Sequence, residues 1–74
     1  MSAEDIVLSV LKKQNKLITI SAVQAEIYAK YRKNYSFSYT KSILFELLAK
    51  GKVEFKDLGG TKGMMFGIKV KKSE

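Results

Sequence analysis

Cysteine and histidine are both absent from this 74-residue chain, and together their absence removes a large part of protein chemistry. No disulfide can form, and the usual structural ligands of zinc are missing. The Ser-His-Asp and Cys-His arrangements of nucleophilic catalysis are excluded for the same reason. No paired acid/base constellation replaces them, because Glu46 and Glu54 read as solvent-facing charges. The chain is therefore expected not to be an enzyme, and it implies no cofactor. Long apolar runs are missing too: none approaches the ~20 residues that a membrane-crossing helix needs. The first residues carry Glu4 and Asp5 and no basic stretch, so no signal peptide is expected. The expectation is a single intracellular, cytoplasmic domain without a membrane partner. A chain of this size buries only roughly 60% of its unfolded surface, so it needs one compact core or a second copy.

Acidic charge is scarce: seven Asp and Glu stand against fourteen Lys and Arg, a net charge of +7. The imbalance is also uneven. Residues 1–11 hold two acidic groups and no basic one, whereas residues 12–74 hold all fourteen cations and five acidic groups, a net of +9. A cationic surface of this kind attracts polyanions, and salt weakens the attraction.

What remains has a clear periodicity. Ser2, with Asp5 three residues later, forms a capping-box pattern at the start of a first helix over about residues 3–14. Ile6, Val7, Val10 and Leu11 mark its buried face, and Asn15 suits a left-handed cap at its end. Leu17-Ile18-Thr19-Ile20 reads as a short extended segment able to pair with a later hairpin. Ser21 and Gln24 then repeat the capping pattern, opening a second helix over about 22–33 with Val23, Ile27 and Tyr31 inward. Lys33 to Phe37 break the period as a turn. A third helix follows over about 38–50, capped at Ser36 or Ser38 and ended by Gly51. Its core face is Leu44, Leu47 and Leu48, flanked by Ile43 and Thr40, and its opposite face carries Ser38, Lys41, Ser42, Phe45 and Ala49. Val53-Glu54-Phe55-Lys56 and Phe66-Gly67-Ile68-Lys69-Val70 alternate as two strands around the loop Gly59-Gly60-Thr61-Lys62-Gly63, giving a hairpin over 53–70. One of Met64 and Met65 is expected to fill the core at the base of that hairpin.

Helix, short strand, helix, turn, helix and hairpin is the element order of the winged helix-turn-helix. The chain resembles the small winged-helix transcription regulators of archaea and of their viruses and plasmids. The resemblance rests on Leu47-x-x-x-Gly51-x-Val53 and on Ile20-Ser21-x-x-x-x-Glu26-Ile27, and it spans residues 4–70. It implies an α+β fold of three helices with a two- to three-stranded wing, binding double-stranded DNA with the third helix in the major groove. By that resemblance Ser38, Tyr39, Lys41 and Ser42 are candidates for base edges and adjoining phosphates. Lys41 would donate to guanine O6 or N7. A looser likeness links Leu17-Ile18-Thr19 and Leu47 to Val53 to the winged-helix protein of the eukaryotic and archaeal small ribosomal subunit, which implies RNA instead.

Each candidate also has a purely structural role open to it. Lys30, Arg32 and Lys33 suit phosphate contact, and cations near a helix C-terminus are stabilising in any case. Thr61 and Lys62 at the wing tip, extended by Lys56 and Lys69, suit a phosphate ridge or ordinary turn geometry. Tyr35, Phe37 and Tyr39 could stack unpaired bases or pack the turn on the core, the latter being favoured most for Phe37. Phe45, on the polar face, could meet a thymine methyl, pack beneath the wing, seal a homodimer or anchor a protein partner. The apolar face of the first helix is a second candidate dimer surface.

Overall fold

The computed structural model describes residues 2–59 and 63–69. The elements are α1 (Ala3–Gln14), β1 (Ile18–Thr19), α2 (Ile20–Tyr31), α3 (Phe37–Ala49), β2 (Val53–Asp57) and β3 (Met64–Ile68). The expected α+β order is present, and the short segment after α1 is indeed a third strand. It pairs antiparallel with β3 (Ile18 with Phe66, Thr19 with Met65), giving the sheet order β1-β3-β2. No helix among the described residues is long and apolar enough to cross a membrane.

Side-chain caps fix where each helix starts. Ser2 Oγ accepts from Asp5 N–H at 3.2 Å, and Asn15 closes α1 in the left-handed region with its N–H on Leu11 O. The start of α2 differs from the sequence expectation. Thr19, not Ser21, is the cap, its Oγ1 accepting from Ala22 N–H at 3.2 Å. Pairing with β3 holds Thr19 extended, and Ile20 enters the helix at once because its side chain is buried. Gln24, freed from a capping role, donates from Nε2 to Tyr35 O at 3.0 Å and ties α2 to the following turn. The helix also ends earlier than expected. Arg32 takes the left-handed conformation (φ 55°) with its N–H on Tyr28 O, so Lys33 lies outside. Ser36 caps α3, accepting from Tyr39 N–H at 3.1 Å. At the far end of α3, Gly51 N–H donates to Leu48 O and Lys52 N–H to Leu47 O, both at 3.0 Å. This double closure requires the positive φ of Gly51, +75°.

One core joins all of these pieces. Ile6, Val7, Val10 and Leu11 of α1 meet Ile20, Val23 and Ile27 of α2, Ile43, Leu44 and Leu47 of α3, and Ile18, Val53 and Phe66 of the sheet. Every apolar residue expected on the inner face of α1 is thus already buried within the molecule. The candidate dimer surface on that helix is corrected accordingly: its apolar face is spent on the core. Tyr31 packs beside this core and donates to Ser9 Oγ at 3.1 Å, linking α2 to α1. In the hairpin, Met64 packs on the core but sits at the turn end, opposite Asp57, rather than at the base.

Candidate nucleic-acid interface

The outer side of α3 follows from its buried side. Thr40, Ile43, Leu44 and Leu47 face inward, so Ser38, Ser42, Phe45 and Ala49 form the opposite face, all exposed as expected. Thr40 is the one buried polar residue among the described residues. Its hydroxyl donates to Ser36 O at 2.8 Å, so it buries no unpaired donor.

The two flanks of this face differ in chemistry. On one flank stands the wing. The Phe45 ring lies edge-on to Phe66 (5.4 Å between centroids) and tilted against Phe55 (5.7 Å), while Phe55 and Phe66 are 5.1 Å apart. Of the roles open to Phe45, packing against the wing is the one observed. The ring keeps an exposed edge, and Lys41 Nζ lies 6.0 Å from its centroid. On the other flank, Tyr39, Ser42 and Glu46 border an open groove with Ala3 and Glu4 of α1 and its cap Ser2. Lys50 Nζ pairs there with both oxygens of Glu4 at 3.0 Å. That hydrogen bond, more than any other cause, holds the Glu4 carboxyl below its ordinary value and the Lys50 ammonium above its own. Two carboxylates thus line the α1 side of α3, one of them already paired with Lys50.

At the N-terminal end of α3 the charge is reversed. Arg32 and Lys33 are exposed in the turn, and the first turn of the helix has no acidic residue. The Arg32 guanidinium carbon lies 5.8 Å from the Tyr28 ring centroid. Tyr28 is exposed, and the sequence reading did not single it out. Its signal, an aromatic one turn before an arginine on the same helix flank, is too common to stand out in sequence. Lys30 is not part of this cluster. Close approach of the Lys13 side chain from α1 is the main reason its ammonium sits below the ordinary lysine value, so Lys30 faces the end of α1.

The aromatic turn is arranged opposite to expectation. Phe37 and Tyr39 are each 48% exposed, while Tyr35 packs on the core with its ring edge-on to Tyr39 at 5.0 Å. As the first residue of α3, Phe37 has its side chain placed by the Ser36 cap, and that direction is outward. Hairpin pairing also separates the wing lysines from α3. Phe55 and Phe66 are opposite each other on the face that meets Phe45, so Lys56, opposite Met65, lies on the other face of the sheet. Lys69 follows the same alternation. Thr61 and Lys62 lie outside the described residues. The loop flanking them is pinned: Asp57 Oδ1 accepts from Gly59 N–H at 2.9 Å, Leu58 N–H donates to Gly63 O at 2.7 Å, and a side chain at Gly63 would strike the Gly59 backbone.

The structure thus brings Lys41, Phe45, Ser38 and Ser42 together on one face, with Arg32, Lys33 and Tyr35 at its leading end. Lys30 and Lys56 lie apart, and Tyr39 and Ser42 border the acidic groove. No family model and no curated protein matches the chain. Among solved structures, the fold matches one from a study of the DNA recognition and protein interaction domains of HOP2 and its homologous DNA pairing properties. That match has a TM-score of 0.77 at 20% identity and covers 92% of this chain and 100% of the other. Three helices, a three-stranded antiparallel sheet and this likeness make the fold a winged helix.

Proposed function

We propose that this chain is a double-stranded DNA-binding module and a transcription regulator, a binding protein rather than an enzyme. In this reading the leading end of α3 enters the major groove and the wing rests on the backbone or in the minor groove. The observation that carries it is the asymmetry around α3. Cations without a carboxylate partner among the described residues stand at its leading turn (Arg32, Lys33) and beside Phe45 (Lys41), whereas on the α1 flank Glu4 and Glu46 face one lysine, Lys50, which is paired with Glu4. A duplex laid along α3 would run its phosphates past the turn and the wing and away from α1. The HOP2 likeness supports a DNA-facing use of this fold without identifying a target.

The test is a fluorescence-anisotropy titration with mixed-sequence duplex at moderate salt. Binding in the micromolar range or tighter is expected, and none at micromolar protein ends the reading. Lys41→Ala should change preference among selected sites, as loss of a base contact does. A uniform loss over all sequences would move Lys41 to the phosphates.

A second reading, RNA or unpaired strands, is favoured by one observation: the outward rings of Phe37 and Tyr39 at the leading end of α3. Base–aromatic stacking contributes about 1–3 kcal/mol per base. Competition of structured RNA against duplex separates the two, with Phe37→Ala weakening only the RNA complex if this reading is right.

A further inference from the structure

The hairpin has one free edge. In the order β1-β3-β2, strand β2 is outermost. The bonds Leu58 N–H to Gly63 O and Lys69 N–H to Lys52 O place residues 52 and 58 as hydrogen-bonded partners across the hairpin. By the two-residue period, Glu54 and Lys56 turn their backbone groups toward β3, while Val53, Phe55 and Asp57 turn theirs outward. Among the described residues, nothing takes up these outward groups.

We infer that the β2 edge is a self-complementary docking surface for a second copy of this chain, joining two sheets through an antiparallel β2–β2 pair centred on Phe55. Charge selects both the occupant and the register. Centred on Phe55, the pairing sets Phe55 against Phe55 as a hydrogen-bonded pair and Val53 against Asp57. It also sets Glu54 of each copy against Lys56 of the other, twice, at the non-hydrogen-bonded positions where side chains approach most closely. Sliding by one allowed step puts Glu54 against Glu54; sliding the other way puts Lys56 against Lys56. Both misregisters oppose like charges. Glu54 and Lys56 are exposed on the outer face of the sheet, and Phe55 keeps 36% of its surface exposed on the inner face. Mixed charge on an edge strand often serves to discourage pairing. Here the alternation about a central aromatic makes the register centred on Phe55 the one that pairs all five residues of the strand without repulsion. The proposal shares the wing with the nucleic-acid reading but uses neither α3 nor the turn, and its test contains no nucleic acid, so either can fail without the other.

A junction of five residues per copy is small by interface standards, so association is measured up to millimolar protein. Sedimentation equilibrium should show the mass rise from 8.4 kDa toward twice that value. Glu54→Lys and Lys56→Glu should each stay monomeric, because each sets like charges opposite one another. An equimolar mixture of the two should associate as a heterodimer, and the double variant Glu54→Lys/Lys56→Glu should recover self-association. Both substitutions are at exposed positions, and circular dichroism checks that the fold persists. Amide exchange locates the contact: the Phe55 N–H should become protected as concentration rises, whereas those of Glu54 and Lys56 are protected throughout. A mass of 8.4 kDa at millimolar protein, association unaffected by the single reversals, or a Phe55 amide whose exchange ignores concentration would each overturn the proposal.

Discussion

Phe66 is the residue on which the wing and the helices converge. Fully buried, it pairs with Ile18 on one side and Phe55 on the other and meets the ring of Phe45. Phe66→Ala should therefore cost about 3–5 kcal/mol, as for other buried aromatic truncations, measured by denaturant unfolding. Phe45→Ala should cost less, since its outer edge is already hydrated. The pair Glu4–Lys50 gives a prediction of a different kind. Glu4 has a folded-state pKa below its ordinary 4.5, so its contribution is present above 4.5 and fades as pH falls through the lower folded value. Lys50 is raised above 10.5, so its part is complete below 10.5 and fades as pH rises through the higher folded value. Thermal unfolding between pH 5 and 3 should show a small drop that Lys50→Met abolishes, measured against the ordinary 4.5 of the carboxyl. At this scale sequence told which side chains were apolar, and it placed Phe45 correctly on the outer face of α3. It could not tell that Phe45 would be met by two rings from the wing, because that contact joins segments ten and twenty-one residues away.

At the scale of elements, caps and glycines decide the boundaries. Gly51 is sensitive to replacement, since its φ of +75° is required by the two bonds that close α3 onto β2. Gly51→Ala should destabilise by about 1–2 kcal/mol from the left-handed backbone alone, although space for the methyl is open. A smaller loss by chemical denaturation would mean that the junction relaxes to another closure. The Ser2, Asn15 and Gly51 signals were legible because each acts through bonds within a few residues. The start of α2 was not, because Thr19 and Ser21 are both competent caps. The choice between them was made by strand pairing with Met65, forty-six residues later. The end of α2 was missed for a related reason: Arg32 is no usual left-handed residue, and it is held there by its N–H on Tyr28 O.

At the scale of the whole molecule, the proposed function is a statement about where charge lies relative to one helix. Arg32 offers a clean probe, because Arg32→Gly removes a cation while suiting the left-handed backbone it already adopts. The variant should keep its melting temperature and lose affinity for every duplex. Its salt slope should shrink by ~1, as for one lost phosphate contact. An unchanged slope would place Arg32 off the DNA.

Composition and periodicity by themselves determined the element order, the inner face of each helix, the α+β class and the concentration of cations behind the first helix. These properties are local or additive, set by side chains a turn or a strand apart and by a sum of charges. Tertiary structure alone decided which cations share a face. Strand pleating turned Lys56 away from α3, packing carried Lys30 to Lys13 and brought Glu4 beside Glu46, and the Ser36 cap sent Phe37 outward instead of Tyr35. Each of these outcomes depends on the direction in which one element meets another, and a linear pattern of residue types does not contain that direction.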